Sequence, residues 1–256
     1  MLTAKPTEKL TGVTIEGSYD DLYELVESIY RMSGLEDDYA DLYWSVKNRL
    51  LGVCYDLRHA YMGDREIIVS DNEEWETMKG IRNFPKKQVR YAVNILFPEA
   101  VFVAISVQEM FVFSRRYYGN HKTAHDGGTK PYTCRYSEYL KDKANIEMLS
   151  GAILSALADV ITEDELEMIM KPLDRGYSDC FMKYAVQYLD KCNIEYLKTP
   201  IEKRKDKLRN ITKRLIKQPD AYRNMKRGLE YAALKYGCSI HELHDPDLEY
   251  PEEVEW

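Results

Sequence analysis

The chain has 256 residues, with 36 Lys and Arg against 43 Asp and Glu, and a formal net charge of −7 at pH 7. A chain with this balance is not expected to bind nucleic acid over its whole surface. Its longest apolar run, Ala100 to Val107, is interrupted by Ser106 and is far shorter than the ~20 residues that span a bilayer.

The beginning of the chain carries charged residues and no apolar signal core. The 5 cysteines are widely spaced and form no CxxC motif, a usage typical of reduced, structural thiols. We therefore expect a cytoplasmic protein with no membrane partner.

The first half of the chain alternates between the patterns of strands and helices. Ser18 is a suitable cap for a helix that begins at Tyr19 and ends at Ser33-Gly34. A longer helix is predicted from Asp37 to about Met62. The predicted strands are Leu10–Glu16, Arg65–Ser70 and a strand that begins at Val89.

The most apolar stretch of the chain is Val89 to Tyr118, and it predicts a strand followed directly by a helix. Alternation of apolar and polar residues from Val89 predicts a half-buried strand, and Pro98 with Glu99 marks the start of a helix. That helix is apolar on nearly every side, which is typical of a buried helix. Glu109 is its exception: it either pairs with an arginine or lies at a helix edge, or it is a perturbed carboxylate in a cavity.

Residues 119–133 contain Gly127-Gly128 and Pro131 and show no periodicity, so they are predicted to form a loop. We expect an α+β part over 1–118 and a helical part over 134–256, which can form one continuous domain. The fold class is α+β, with a small antiparallel three-stranded sheet, packed helices and a mainly helical C-terminal half. The C-terminal helices are predicted near Tyr136–Val160, Thr162–Lys171, Ser178–Cys192, Ile201–Lys217 and Asp220–Tyr236.

The long second helix has a polar face as well as an apolar one. Arg49, Gly52, Asp56 and His59 follow helical spacing, and glycine would allow close approach of a ligand. Asp56 could orient His59 as a general base. Alternatively, Asp56 pairs with Arg49, Arg58 or His59, and His59 favours the helix C-terminal dipole.

Further charged residues are candidates for binding on the same side of the molecule. Arg58 belongs to the helix, and Asp64 and Arg65 follow its end. Arg49 or Arg65 would hold an anionic substrate if the site were catalytic.

Two clusters of histidine and cysteine each supply three possible zinc ligands, but neither has the spacing of a zinc motif. We therefore predict no metal and no cofactor. Nucleotide-binding glycine loops, HExxH and GxSxG are also absent from the sequence. The two clusters are His121, His125 and Cys134, and Cys238, His241 and His244.

The predicted helix Ile201–Lys217 is strongly basic, with Lys205, Arg209 and Lys213 among its cations. Such a helix can be solvated, can pair with acidic groups of its own chain, or can bind an acidic protein or nucleic acid.

The stretch Leu51–Glu66 resembles an uncharacterised, mostly Gram-positive bacterial family that is classed as a domain of unknown function. Leu10–Leu25, Asn94–Glu99 and Tyr250–Trp256 fit the same family. The resemblance implies a bacterial or phage-borne protein, and it supplies no activity, ligand or partner.

The leading hypothesis is a non-enzymatic binding protein with an unknown protein partner, in a phage or mobile-element setting. The first alternative is a hydrolase that uses Asp56 and His59 on an anionic substrate. The second is a nucleic-acid binder that uses the basic helix 201–217. The oligomeric state is left open.

Overall fold

The computed structural model describes residues 1–33, 40–72, 74–81, 84–120, 124–125, 131–132, 135–174 and 180–256. The strands are β1 (Thr3–Pro6), β2 (Gly12–Gly17), β3 (Glu66–Asp71), β4 (Lys87–Leu96), β5 (Ala124–His125) and β6 (Pro131–Tyr132). The helices are α1 (Tyr19–Ser33), α2 (Ala40–His59), α3 (Trp75–Met78), α4 (Phe97–Asn120), α5 (Tyr136–Ile161), α6 (Glu163–Asp174), α7 (Gln187–Leu197), α8 (Ile201–Lys217) and α9 (Asp220–Tyr236). A π-helix, Ala60–Asp64, continues α2, and a 3-10 helix, Ile240–Glu242, follows α9.

The main sheet is antiparallel with the strand order β1-β2-β4-β3. The predicted α+β class and antiparallel sheet are confirmed, but the sheet has four strands rather than three. The additional strand, β1, ends at Pro6 and has β2 as its one neighbour among the described strands. Proline is tolerated at such an edge because its missing N–H is not needed by a second neighbour.

The core lies between the sheet and the helices. Val13, Ile15, Val93 and Ile95 lie on one face of β2 and β4 and are buried. The predicted strand-to-helix join is confirmed: β4 ends at Leu96 and α4 begins at the next residue. α4 is buried on most sides and packs against α2, α5, α7 and α8, as its all-round apolar sequence indicates.

Within the part of the chain described, α5 is the one helix that is long and apolar enough to cross a membrane. It has 26 residues and a mean hydropathy of 1.4 in its most apolar window. In the fold it packs against α4, α1 and β1, and Ile146, Leu149, Ile153 and Leu157 are buried. Its apolar character is therefore also that of a core helix.

Several predicted boundaries shift. The regular part of the second helix ends at His59, and the chain continues to Asp64 in π-helical form. α7 begins at Gln187, later than predicted, while Ser178 lies outside the described residues. The predicted loop 119–133 begins inside α4, and it contributes the short hairpin β5–β6. The bounds of α8 and α9 are as predicted.

Glu109 joins α4 to the segment that precedes α7. Its carboxylate oxygens accept main-chain N–H groups from Cys180 at 2.8 Å and Phe181 at 2.9 Å. Main-chain amides as partners were not among the predicted alternatives. These two hydrogen bonds offset the free-energy cost of desolvating a carboxylate on a helix that packs in the core.

Candidate functional site

The candidate site is a cleft beside β4, at the point where β3 begins. β3 pairs with β4 only as far as Glu66, which lies opposite Ala92. Among the described strands, residues 93–96 of β4 therefore have a neighbour on the β2 side alone. The other edge of this part of β4 is open towards α2.

Hydrogen bonding at the end of β4 shows which main-chain groups face the open edge. The N–H of Phe97 donates to the carbonyl of Thr11 at 3.2 Å, in register with the β2–β4 ladder. Antiparallel pairs alternate between bonded and non-bonded positions, so odd-numbered residues here bond to β2 and even-numbered ones face away. The N–H and carbonyl of Asn94 and the N–H of Leu96 thus point to the cleft, with no hydrogen-bond partner in the described part of the chain.

The opposite wall of the cleft is the predicted polar face of α2. Arg49, Gly52 and Asp56 line it. A Cβ added to Gly52 would meet nothing within 4 Å, so this wall is open above the glycine. Of the four residues predicted to share a face, these three line the cleft and His59 does not.

A charged network closes one end of the cleft. Arg49 Nη2 donates to both carboxylate oxygens of Asp190, at 2.8 and 2.7 Å, and Nη1 lies 3.3 Å from Glu99 Oε2. Asn193 Nδ2 donates to Glu99 Oε2 at 2.9 Å and to the Tyr250 hydroxyl at 3.1 Å. The Tyr250 hydroxyl donates to Asp190 at 2.9 Å. The network thus ties α2, α4 and α7 to the C-terminal segment.

Burial sets the protonation of two members of this network. It raises the pKa of Glu99, although Arg49 and Asn193 favour the charged form. Burial also raises the pKa of Tyr250, and the negative charge of Asp190 acts in the same direction. Tyr250 therefore remains a hydrogen-bond donor to Asp190 at neutral pH.

The last residues of the chain form part of the cleft wall. The Thr11 hydroxyl donates to the carbonyl of Glu255, and Lys9 forms a salt bridge with the Glu255 carboxylate. Trp256 lies against Gly12: a Cβ added there would be 2.8 Å from the Trp256 ring and 2.1 Å from the Ile95 carbonyl oxygen. Only glycine allows β2, β4 and the indole to approach this closely.

The resulting cleft has a volume of about 990 Å³, which is at the upper end of the range for small-ligand sites. Its walls combine main-chain groups, charged side chains and aromatic rings. The lining residues are Asn48, Arg49, Leu51, Gly52, Val53, Tyr55, Asp56, Arg65, Glu66, Ala92, Val93, Asn94, Ile95, Leu96, Glu99, Asn193, Tyr250 and Trp256.

Asp56 and His59 do not form the expected dyad. Asp56 Oδ1 accepts from Arg65 Nη2 at 2.9 Å, whereas His59 Nδ1 lies 2.8 Å from Asp64 Oδ2. The π-helical turn and Gly63, with φ of +88°, bring Asp64 back to the histidine. His59 is not among the residues that line the cleft, and its ring lies 4.2 Å from that of Tyr55.

Arg58 lies outside the cleft lining. Its guanidinium lies 5.5 Å from the centre of the Tyr55 ring and 3.5 Å from the Tyr30 hydroxyl. Of the predicted binding residues near this helix, the structure therefore brings Arg49 and Arg65 together in one cleft and leaves Arg58 and Asp64 beside it.

The basic helix α8 is partly neutralised by its own chain. Arg209 pairs with Glu165 at 2.8 Å and Asp206 at 2.7 Å. Lys205 and Lys213 form no salt bridge with a described residue. These three predicted binding residues do not line the cleft.

The described residues contain no group of three or more His, Cys, Asp or Glu side chains that could hold a metal ion. In the second predicted cluster, the His241 ring stacks on Trp44 at 4.2 Å. His121 and Cys134 lie outside the described residues, and only the backbone of His125 is described.

Sequence reasoning missed most of the residues that complete the cleft. The sequence pattern places Glu99 at a helix start, and it indicates no role for Asp190, Asn193, Tyr250 or Trp256. The signal that could have found some of them is the family resemblance. Residues 51–66, 94–99 and 250–256, which carry it, all contribute to this one cleft.

A family model described as a domain of unknown function (DUF6904) matches residues 2–256. No curated protein and no solved structure matches the chain.

Proposed function

The chain belongs to the DUF6904 family, and we propose that it is a binding protein whose cleft holds an extended polypeptide segment of a partner. The observation that carries this proposal is the open edge of β4. Asn94 and Leu96 offer main-chain donors and an acceptor to the cleft, and such an edge can take an additional strand.

The opposite wall supports the same function. An added segment would pair with residues 94–96 of β4 at the usual strand spacing of about 4.8 Å, beside the π-helix Ala60–Asp64, which itself packs against β4. Gly52 leaves room there for a side chain of the ligand, since no atom lies within 4 Å of the position of its missing Cβ.

The charges of the cleft indicate the chemistry of the segment. Arg49 and Arg65 are already held by carboxylates, Arg49 by Asp190 and Arg65 by Asp56. Glu66 lines the cleft and forms no salt bridge with a described residue. A basic side chain in the ligand would pair with Glu66, so the preferred segment is extended and carries Lys or Arg near that end.

A cytosolic bacterial setting is part of the proposal. The described cysteines Cys54, Cys180, Cys192 and Cys238 are all free thiols, which suits a reducing compartment.

The geometry gives less support to the two other functions. A hydrolase built on Asp56 and His59 would need the carboxylate to orient the imidazole, and Asp56 instead binds Arg65. A nucleic-acid surface on α8 would have only part of the charge of the helix available. Arg209 is held by two carboxylates and Lys207 and Arg214 share Glu195, whereas Lys205 and Lys213 form no salt bridge with a described residue.

The test is selection of random peptides displayed on phage against the immobilised protein. Gly52→Trp fills the cleft wall, and Gly151→Trp is the matched control. Gly151 is also an exposed helical glycine with nothing within 4 Å of an added Cβ, but it lies outside the cleft.

We expect the wild type and Gly151→Trp to enrich the same peptides and Gly52→Trp to enrich none of them. Glu66→Lys should reduce the share of basic residues among the enriched peptides. Failure to enrich peptides on the wild type, or equal enrichment on Gly52→Trp, would contradict the proposal.

A further inference from the structure

The outer edge of the sheet at β3 is a second surface with unpaired main-chain groups. β3 has β4 on one side and no described strand on the other. Ala92 faces away from β2 and bonds to Glu66, so the even-numbered residues of β3 bond to β4. Ile67, Val69 and Asp71 consequently direct their N–H and carbonyl groups outward.

This edge also has an exposed apolar face. Ile67 and Val69 are 51% and 56% exposed, and Val89, which lies opposite Val69 on β4, is 47% exposed. Open edges are usually protected by lysine, proline or a bulge. β3 has the sequence Glu-Ile-Ile-Val-Ser-Asp and keeps an unbroken register with β4, so none of these devices protects it.

We propose that this edge pairs antiparallel with β3 of a second copy of the chain, about a two-fold axis at Ile68. In this register Ile67 lies opposite Val69 of the partner subunit, and Ile68 lies opposite Ile68 of the partner subunit. The outward-facing residues become the hydrogen-bonded pairs, and the apolar faces of the two copies become continuous.

Charge complementarity selects the second copy as the occupant. The register places Arg65 opposite Asp71 of the partner subunit, twice by symmetry. Asp71 already lies 3.8 Å from Lys87 across the β3–β4 ladder, so it would have a cation on each side. Opposite charges on facing strands stabilise pairing.

Neighbouring registers are disfavoured. A shift of one residue places Glu66 opposite Asp71 of the partner subunit, and it also turns the apolar side chains of one copy to the other face of the sheet. A shift of the axis to Val69 places Ile67 opposite Asp71 of the partner subunit. The sequence of β3 therefore fits one self-pairing register best.

This dimer would join the two sheets into one of eight strands. It would also bring Asp71 of the partner subunit beside Arg65, which lines the cleft. The inference rests on β3 and does not require the proposed ligand of the cleft.

The test is the mass of the full-length protein, measured by light scattering and sedimentation over a range of concentrations. We expect a concentration-dependent dimer. Val69→Pro removes one outward N–H and none of the bonds to β4, so it should abolish the dimer while circular dichroism stays unchanged. Val69→Thr keeps the N–H and the β-branched shape, and it should remain dimeric.

A second variant tests the register independently of any loss of folding. In a non-bonded antiparallel pair the Cα atoms are about 4.5 Å apart, within the reach of a disulfide. Oxidised Ile68→Cys should therefore form a covalent dimer, whereas Ile67→Cys and the wild type should form far less under the same conditions.

Three results would overturn the inference. The first is a monomer at concentrations up to about 1 mM, where an association of about 4 kcal/mol would be detected. The second is a dimer that persists in folded Val69→Pro. The third is a dimer in which Ile68→Cys does not cross-link, which would place the interface on another surface.

Discussion

Arg49 on α2 and Asp190 on α7 join the two halves of the chain, with one guanidinium nitrogen 2.8 and 2.7 Å from the two carboxylate oxygens. Glu99 shares the same cation at 3.3 Å. The side chains of Arg49, Glu99 and Asp190 are 20%, 15% and 25% exposed. The end of the cleft is therefore held by a largely desolvated pair of carboxylates around one cation.

Removal of this cation should destabilise the fold strongly. Arg49→Met keeps most of the side-chain volume but leaves two largely buried carboxylates without their cation, at a cost of about 3 kcal/mol. Arg65→Met is the matched control: its pair with Asp56 is 40% and 36% exposed and should contribute less than about 1 kcal/mol. The measurement is urea unfolding at neutral pH, and equal losses in the two variants would contradict the account.

Glu99 should give the protein a pH dependence of its own. Because burial raises its pKa in the folded state, the folded protein holds this proton more tightly than the unfolded chain does. The contribution of Glu99 to the free energy of unfolding is fully present below the ordinary glutamate pKa. It is lost as pH rises through the raised pKa of the folded state. In urea unfolding, the stability of the wild type relative to Glu99→Gln should fall as pH rises over this window; a rise would contradict the sign.

Glu195 should make the stability of the protein depend on pH in the opposite direction. Burial alone would raise its pKa, but hydrogen bonds from Arg214 and Lys207 outweigh burial and lower it. Its contribution is therefore present above the ordinary glutamate pKa and is lost as pH falls through the lowered value. The stability of the wild type relative to Glu195→Gln should decrease on acidification, and a pH-independent difference would contradict this.

Gly12 and Gly52 should respond oppositely to the same change. Gly12→Ala places a Cβ 2.1 Å from the Ile95 carbonyl oxygen, and the strands must move apart at a cost of about 3 kcal/mol. Gly52→Ala adds a methyl group in open space on a helix and should stabilise by about 0.5–1 kcal/mol. Thermal unfolding of the two variants measures both effects, and a neutral Gly12→Ala would show that the close packing is not maintained.

The parts of the fold that follow local rules could be predicted from the sequence. The apolar periodicity of α8 and α9 gives their bounds, and Pro98 marks the strand-to-helix join before α4. β1 was missed because a short edge strand that ends at Pro6 has little apolar alternation to detect. The sequence has 21 tyrosines, and their number does not show which are buried: Tyr184, Tyr188 and Tyr222 are core residues that pack on one another.

The cleft could be predicted only in part, because its residues meet through long-range contacts. Helical spacing placed Arg49, Gly52 and Asp56 on one face, but it could not show that Asp190 would bind Arg49. The spacing argument also takes the helix to be regular as far as Met62. The π-helical turn instead places Asp64, and not Asp56, beside His59. The open edge of β4 depends on where β3 stops, which the pattern of a single strand does not encode.

The most direct test of the central claim is amide hydrogen exchange at single residues along β4 in the free protein. The N–H groups of Val93 and Ile95 bond to β2, whereas those of Asn94 and Leu96 face the cleft. We expect Asn94 and Leu96 to exchange much faster than Val93 and Ile95, and to become protected when a peptide selected on the protein is added. Protection of Asn94 and Leu96 in the free protein equal to that of Val93 and Ile95 would show that the edge is already paired, and would contradict the proposed site.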